Sequence, residues 1–168
     1  MAMQDSSVKV TIKLAGTANV GQILKLIAGE AKASGAVTRI GKAELDKWIS
    51  NGLSYVAIHD GQVIGHEGAN VWPQSRFVEL RSAVVNKEYR GRGIGEKLNG
   101  RLMLKLHSKY GGWHAIAFVN SAARSRGMLE RAGFAATPAG ALPESYVREN
   151  GNIDYIVRHG YTIFTMIV

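Results

Sequence analysis

The chain has 168 residues, a length that fits a single domain covering residues 1–168. Hydrophobic residues make up 46% and charged residues 20% of the chain, a globular composition that excludes a disordered or membrane-embedded protein. The chain has no cysteine, which excludes disulfides, thiolate metal sites and a cysteine nucleophile.

Two counts depart from this ordinary composition. Lys and Arg number 21 against 13 Asp and Glu, a formal net charge of +8, and there are 20 glycines. The charge indicates an anionic partner, but nucleic acid, a membrane surface and a phosphorylated small molecule would all satisfy it. Residues 1–7 lack the pattern of a secretory signal, and no apolar run is long enough to span a membrane, so we expect a cytoplasmic protein without membrane contact.

The first half of the chain reads as a strand, two helices and three strands. Val8–Leu14 alternates apolar and polar residues, which predicts a half-buried strand. Apolar residues at helical spacing then predict helices over Val20–Ala33 and Lys42–Ser50. Asp60 and Gly61 predict a hairpin turn. The strands predicted around and after this turn are Leu53–His59, Gln62–Val71 and Phe77–Asn86.

The second half returns to alternating helix and strand. Ile94–Ser108 carries leucines every four residues and predicts a helix, and the short apolar Trp113–Val119 predicts a central strand. A second helix is predicted over Ser121–Ala132. The chain ends with a short strand at Phe134–Ala136, a loop that contains Pro138, Gly140 and Pro143, and a final strand at 162–168. Together the elements predict an α/β (α+β) fold with no repeat and no linker.

The most informative segment is the turn between the predicted strand at Phe77–Asn86 and the helix that follows. Gly91, Gly93 and Gly95 alternate with other residues at the start of this helix. The unpaired N–H groups of a helix start lie at the positive end of the helix dipole, and glycine allows a phosphate to approach the backbone closely. Arg90 and Arg92 add positive charge beside these amides. The segment therefore predicts a binding site for a phosphorylated ligand.

Two common phosphate-binding motifs do not fit this chain. The dinucleotide-binding pattern G-x-G-x-x-G fails because position 96 is Glu. A Walker A loop at Gly35–Lys42 fails because five residues separate its glycines and Ala43 stands where Ser or Thr would bind Mg²⁺.

What remains is Arg90-x-x-Gly93-x-Gly95 after a strand, within the segments VELRSAVV and VVNKEYRGRGIGEKL. Downstream, Asn120 ends a strand and Glu130–Phe134, ERAGF, closes a helix. Together these segments resemble the two cofactor motifs of the GCN5-related N-acetyltransferase (GNAT) family. The resemblance implies a single mixed, mostly antiparallel sheet flanked by helices, with splayed central strands. It also implies transfer of the acetyl group of acetyl-CoA, as cosubstrate and without a metal, to a primary amine.

The resemblance carries cofactor roles onto particular residues. The backbone of Val84 and Val85 would pair with the pantetheine arm of CoA, which enters between the splayed strands. Asn120 would contact that arm from the opposite strand, although it could equally cap the following helix. The backbone amides that would hold the pyrophosphate belong to Arg90, Gly91, Arg92, Gly93, Ile94, Gly95 and Glu96.

In this family the amine attacks the thioester directly, so a base must accept its proton. Glu79, on the strand before the turn, is the first candidate for the base. Its alternative role is a structural ion pair with Arg81, which lies two residues on and on the same face of the strand. Glu67 and His66, on the preceding strand, are second candidates.

The chain departs from the family at one position. A tyrosine that protonates the leaving thiolate commonly stands four residues before the Gly of the Gly-Phe pair, and here that position is Leu129. Ser125, one helical turn earlier, could supply a hydroxyl instead, or water could supply the proton. Ser125 could also be a small residue that packs the helix. The alternative to an enzyme is a CoA-binding module without catalysis.

The acceptor is the least determined partner. The family builds its acceptor site from the segments that correspond to 17–52 and 135–162, which match least well, so small molecules and peptides both stay open as amine acceptors. Homodimers are common in the family, and the resemblance allows one here. We expect no nucleic acid partner, because the basic residues are scattered and no recognition motif is present.

Overall fold

One sheet of seven strands forms the centre of the protein, which a computed structural model describes over residues 8–168. The strands lie in the order β1-β2-β3-β4-β5-β7-β6, and β4 and β5 form the parallel pair among otherwise antiparallel neighbours. Their bounds are β1 Thr11–Leu14, β2 Ser54–His59, β3 Gln62–Trp72, β4 Phe77–Val85, β5 His114–Val119, β6 Ala135–Ala136 and β7 Thr162–Ile167.

Helices cover both faces of this sheet. Single turns of 3-10 helix lie at Thr17–Asn19, Lys87–Tyr89 and Ala139–Ala141. The α-helices are α1 Val20–Ala33, α2 Lys42–Ser50, α3 Ile94–Tyr110, α4 Arg126–Arg131, α5 Glu144–Asn150 and α6 Ile153–Arg158. Among the described residues, no helix combines the length and the apolar character that a membrane crossing requires.

The buried apolar side chains of each helix show which face of the sheet that helix covers. Leucines of α3 at positions 98, 102 and 106 are buried against the sheet, together with Leu129 of α4. On the opposite face, α1 and α2 bury Ile23, Ile27, Leu45 and Trp48. The helices α5 and α6 extend this second layer over β4, β5 and β7. Side chains of β4 therefore alternate between the α3 side and the α1/α2/α5 side.

The mixed, mostly antiparallel sheet flanked by helices confirms the fold class predicted from the sequence. The helix predicted over Ser121–Ala132 is wrong at its start, since α4 begins at Arg126. Asn120 explains the difference, because its Oδ1 accepts a hydrogen bond from the Ala122 amide at 3.0 Å and its carbonyl accepts one from Ala123 at 3.1 Å. These bonds form a turn that competes with the helix.

The segment between β6 and β7, predicted as a loop, contains the short helices α5 and α6. Signals for α5 are present in the sequence. Pro143 precedes an acidic first turn, and Gly151, in the left-handed conformation at φ 67°, ends the helix. Helices this short depend on tertiary packing. Tyr146 supplies it in α5, because its side chain is fully buried between Trp72 and Phe77.

Candidate functional site: a strand gap, an amide cradle and a buried carboxylate

A gap opens between the two parallel strands in the middle of the sheet. β4 and β5 pair from Phe77 with His114 to Leu80 with Ala117, and beyond that point the two strands separate. A bulge accompanies the separation, since residues 82 and 83 of β4 lie opposite the single residue 67 of β3, and Ser82 has a φ of 54°. We call the space between residues 81–85 of β4 and 118–119 of β5 the strand gap.

The strand register determines which backbone groups face the strand gap. The Asn86 amide donates to the Ile64 carbonyl at 2.8 Å, so residues 64 and 86 form a hydrogen-bonded pair. Hydrogen-bonded and non-bonded pairs alternate along an antiparallel ladder. Val84, paired with His66, therefore directs its N–H and C=O toward β3. Val85 directs its own toward the strand gap. The expectation that both valines offer backbone groups there must therefore be revised for Val84 and stays a prediction for Val85.

The turn after β4 arranges its amides as the glycine pattern predicts. Gly91 and Gly93 adopt left-handed conformations, with φ of 75° and 71°, and Gly93 is the N-cap residue directly before α3. Within residues 8–168, no amide from Gly91 to Glu96 donates to another protein group. We call these N–H groups the amide cradle. They lie at the positive end of a helix of 17 residues, which favours an anion.

The side chains around the amide cradle are less free than the sequence suggests. Arg90 donates from Nε to the Val85 carbonyl at 2.8 Å and from Nη2 to the Glu30 carboxylate at 2.5 Å. The expectation that its guanidinium adds charge for a phosphate is therefore revised, because Glu30 already neutralises it. Arg92 lies over the Tyr89 ring at 5.8 Å and has no carboxylate partner among the described residues.

Asn120 lies at the end of β5, across the strand gap from Val85. Its Nδ2 donates to the Gly35 carbonyl at 2.7 Å, which joins β5 to the segment after α1. It does not cap α4, because Ser125 occupies the N-terminal position of that helix. The alternative role predicted from the sequence was therefore wrong, and Asn120 stays a candidate for contact with a ligand in the gap.

Glu79 lies on β4 next to the point where the strand gap begins, with 3% of its surface exposed. Its Oε2 accepts a hydrogen bond from Trp72 Nε1 at 2.9 Å and a longer one from Asn150 Nδ2 at 3.4 Å. Its Oε1 accepts a hydrogen bond from Arg81 Nη1 at 3.2 Å, which is the ion pair predicted as the alternative role of Glu79. Arg81 also lies 3.5 Å from Glu44 of α2.

Burial is the largest influence on Glu79 and raises its pKa above the ordinary range of a glutamic acid. The Arg81 charge and the hydrogen bond from Trp72 act in the opposite direction, and the nearby Glu44 carboxylate adds to the increase. A carboxylate with a raised pKa is a better proton acceptor. Glu79 can therefore be an ion-pair partner of Arg81 and a base at once.

His66 and Glu67, the second candidates for a base, are fully buried. The Nδ1 of His66 lies 3.2 Å from the Ser82 carbonyl, so Nδ1 carries the proton, and Nε2 accepts from the Ser54 hydroxyl at 2.9 Å. Burial lowers the pKa of His66 to about 4. Glu67 faces α3, where its Oε1 accepts from Asn99 at 3.0 Å. The ring of Trp48 in α2 stacks on His66 at 6.2 Å between centroids, and α3 covers Glu67.

The buried Glu67 makes stability depend on pH. Burial raises the pKa of Glu67 to about 7, and its Oε2 has no hydrogen-bond partner within residues 8–168. The unfolded chain releases this proton near a pH of about 4.3. The folded protein therefore holds more protons between these values, and its stability falls as pH rises toward and through 7.

We expect Glu67→Gln to be more stable than the wild type at pH 8, by about 1–3 kcal/mol. At pH 4 the difference should nearly vanish, because the wild-type carboxyl is then mostly neutral in the unfolded as well as in the folded protein. Urea unfolding at both pH values measures the effect, with Glu144→Gln as a control for an exposed carboxylate. A stability difference that is equal at the two pH values would contradict the assignment.

Ser125 and Leu129 lie on α4 in different surroundings. Ser125 is half-buried, and its hydroxyl makes no hydrogen bond within the described part of the chain, so it is free to act as a donor. Leu129 is 2% exposed and packs with Phe134 in the core on the α3 side. Leu129 is thus a core residue, and no hydroxyl stands at its position.

Several residues of the site were not predicted from the sequence. Trp72 and Asn150 contact the Glu79 carboxylate directly, while Glu44 reaches it through Arg81. Asn150 could have been found only by recognising α5, whose signals are Pro143 and Gly151. The partners of Glu79 come from three separate parts of the chain, and no local pattern joins them.

Several solved structures share the fold of this chain. N-acetylglutamate synthase from Neisseria gonorrhoeae, in complex with coenzyme A and N-acetyl-glutamate, has a TM-score of 0.74 and 18% identity over 96% of this chain. The chain spans 36% of the length of that synthase. Rv2747 from Mycobacterium tuberculosis, in complex with CoA and NLQ, has a TM-score of 0.75 and 18% identity, and the match covers 94% of this chain and 99% of that one.

A phosphinothricin acetyltransferase from Sinorhizobium meliloti, in complex with AcCoA, has a TM-score of 0.69 and 21% identity, covering 95% of this chain and 88% of that one. At these identities the likeness establishes the fold. No curated protein sequence matches the chain. A family model for the acetyltransferase (GNAT) family matches residues 24–134, which include most of α1, the strand gap, the amide cradle and α4. The chain therefore belongs to the acetyltransferase (GNAT) family.

Proposed function

We propose that the protein is an N-acetyltransferase that transfers the acetyl group of acetyl-CoA to a primary amine by direct attack in a ternary complex. The observation that carries the proposal is the amide cradle at the start of α3, beside a strand gap that begins next to the buried carboxylate of Glu79. This arrangement provides an anion site, a channel between strands and a base in one continuous region.

The residues present fit a CoA molecule. The amide cradle would hold the pyrophosphate, and Arg92 would add charge beside it. The Arg90 amide, which was expected to join them, instead donates to the Lys87 carbonyl at 3.4 Å. The Val85 N–H faces the strand gap and would pair with the pantetheine arm as a neighbouring strand does. Asn120 would border the arm on the β5 side. No side chain at Gly91 or Gly93 obstructs the approach to the backbone.

Acetyl-CoA supplies an activated thioester to this site. Glu79 accepts the proton of the attacking amine, directly or through a water molecule, and burial favours its neutral form once the proton arrives. Arg81 and Trp72 hold the two oxygens of the carboxylate and so orient it. The proton that the departing sulfur needs comes from Ser125 or from water, because Leu129 has none to give.

The acceptor binds on the side of β4 that carries Glu79. Trp72, Arg81, Asn150 and Glu44 surround the carboxylate there and combine an aromatic wall with charges of both signs. We propose a small-molecule amine with polar groups as acceptor. Two neighbours, in complex with N-acetyl-glutamate and with NLQ, make amino acids the first acceptors to test.

A CoA-binding module without catalysis is the second candidate function. The burial of Leu129 in the core favours it, because the position that commonly carries the acid in this family is filled by an apolar side chain. Such a protein would bind CoA through the same amide cradle and would leave amines unmodified.

Calorimetric titration with CoA, followed by an acceptor panel of amino acids, simple amines and peptides, separates these functions. Acetylation releases free CoA, whose thiol is detected directly. We expect saturable CoA binding and thiol release that requires one acceptor class. CoA binding without release for any acceptor would favour the module, and absence of CoA binding would contradict both functions.

A further inference from the structure

The C-terminal end of α1 contacts both walls of the strand gap. On the β4 side, Glu30 pairs with Arg90 at 2.5 Å. On the β5 side, the Gly35 carbonyl accepts a hydrogen bond from Asn120 at 2.7 Å. These two partners are residues that the family resemblance assigns to the cofactor. The segment Glu30–Gly35 therefore bridges the two sides of the proposed cofactor site.

The ion pair between Glu30 and Arg90 is shielded from solvent. The side chains are 15% and 29% exposed, and the guanidinium also donates to the Val85 carbonyl at 2.8 Å. Partly buried pairs with several hydrogen bonds are held more firmly than exposed pairs. The Arg90 side chain is thus held by two partners, the Glu30 carboxylate and the Val85 carbonyl. These bonds fold the turn that follows β4 back over the end of the strand.

This geometry selects which backbone group of Val85 stays free in the strand gap. The carbonyl of Val85 is occupied by Arg90 Nε, whereas the register with β3 turns its N–H away from that strand and toward the strand gap. A ligand strand that enters the gap would meet a donor there and no competing acceptor. The Arg90 side chain therefore shapes the backbone surface without itself offering an unpaired charge.

The end of α1 is itself well ordered by local bonds. Ser34 Oγ donates to Glu30 Oε1 at 2.5 Å and accepts from the Ala36 amide at 3.1 Å. These bonds hold the Glu30 carboxylate in one position. They also direct the chain toward Gly35, whose left-handed φ of 67° turns its carbonyl to Asn120.

We propose that Glu30 is a positioning residue of the cofactor site: it holds Arg90 on the Val85 carbonyl, and with the Gly35–Asn120 bond it sets the width of the strand gap. The inference rests on the proposed function, since it assigns CoA to the gap. It also links α1, on the acceptor side of the sheet, to the turn that binds the cofactor.

A double-mutant cycle of Glu30→Gln and Arg90→Gln tests the proposal. We expect each single variant to weaken CoA binding in calorimetry by about 5- to 30-fold. The double variant should bind CoA no more weakly than the worse single variant, because one shared interaction is lost.

In kinetics, Glu30→Gln should raise KM for acetyl-CoA and leave kcat and the acceptor KM unchanged. Asp46→Asn, which removes an exposed ion pair of α2, is the matched control and should change none of these values.

Hydrogen exchange of the free protein provides a readout without CoA. We expect faster exchange at the hydrogen-bonded amides of this turn, those of Asn86, Glu88, Tyr89 and Arg90, in both single variants and no change in the control. Tighter CoA binding by Glu30→Gln would overturn the proposal, because it would mean that Glu30 withholds Arg90 from the phosphates. Additive effects or unchanged exchange would overturn it too. If the wild type itself fails to bind CoA, the proposed function fails, while the exchange result still decides whether Glu30 positions the turn.

Discussion

Gly93→Asp should abolish CoA binding and leave the fold intact. Gly93 is the N-cap of α3 and lies within the amide cradle, so a carboxylate there would stand among the phosphates. Two like charges 4 Å apart repel by about 4 kcal/mol at an effective dielectric constant of about 20, so we expect an affinity loss of about 100-fold or more. The left-handed backbone adds a stability cost of about 1 kcal/mol. Calorimetry and thermal unfolding measure the two effects separately.

Gly112→Asp is the matched control for this variant. Gly112 also has a left-handed backbone, with φ of 80°, but it follows the opposite end of α3. A helix of 17 residues separates the two sites by about 25 Å. The control should carry a similar stability cost and bind CoA like the wild type. Equal CoA affinity in the two variants would contradict the assignment of the amide cradle to the pyrophosphate.

Glu79→Gln should remove acetyl transfer while CoA binding stays unchanged. The amide keeps the shape of the side chain and can still accept from Trp72, but it cannot take a proton. General-base catalysis contributes about 10²- to 10⁴-fold, so kcat should fall by about that factor. CoA release with the best acceptor measures the rate, and calorimetry confirms that the cofactor still binds.

The pH profile distinguishes a base from a structural ion pair. Because burial raises the pKa of Glu79, wild-type activity should rise with pH through a range above that of an ordinary glutamic acid. This rise should disappear in Glu79→Gln. Glu44→Gln removes a carboxylate that raises the pKa of Glu79, so its profile should move to lower pH. A profile that survives in Glu79→Gln would assign the base to another group.

The features predicted correctly from the sequence are those that depend on neighbouring residues. Strand alternation, the leucine repeat of α3 and the glycines at 91 and 93 are all local, and each produced the expected element or conformation. The fold class followed from these elements and from the family resemblance. The misplaced start of α4 and the missing α5 are also local segments, but their conformations depend on Asn120 and on the burial of Tyr146.

The roles of single side chains were less predictable, because their partners are distant in the chain. Arg90 lies 60 positions from Glu30, and Asn120 lies 85 positions from Gly35. His66 and Glu67 resemble Glu79 as polar strand residues. They differ from it because α2 and α3 cover them, whereas Glu79 lies beside the strand gap.

The charge and glycine excess that first indicated an anionic ligand is explained in part by the amide cradle. The sequence by itself determined that cradle, since glycines at and just before the start of a strongly periodic helix leave its first amides without helical partners. Only the tertiary structure decided that Arg90 is neutralised, that Val85 faces the strand gap and that Glu79 is a buried base candidate. The physical reason is that charge pairing, strand register and desolvation arise from contacts between distant segments, and these form only when the sheet and its helices pack together.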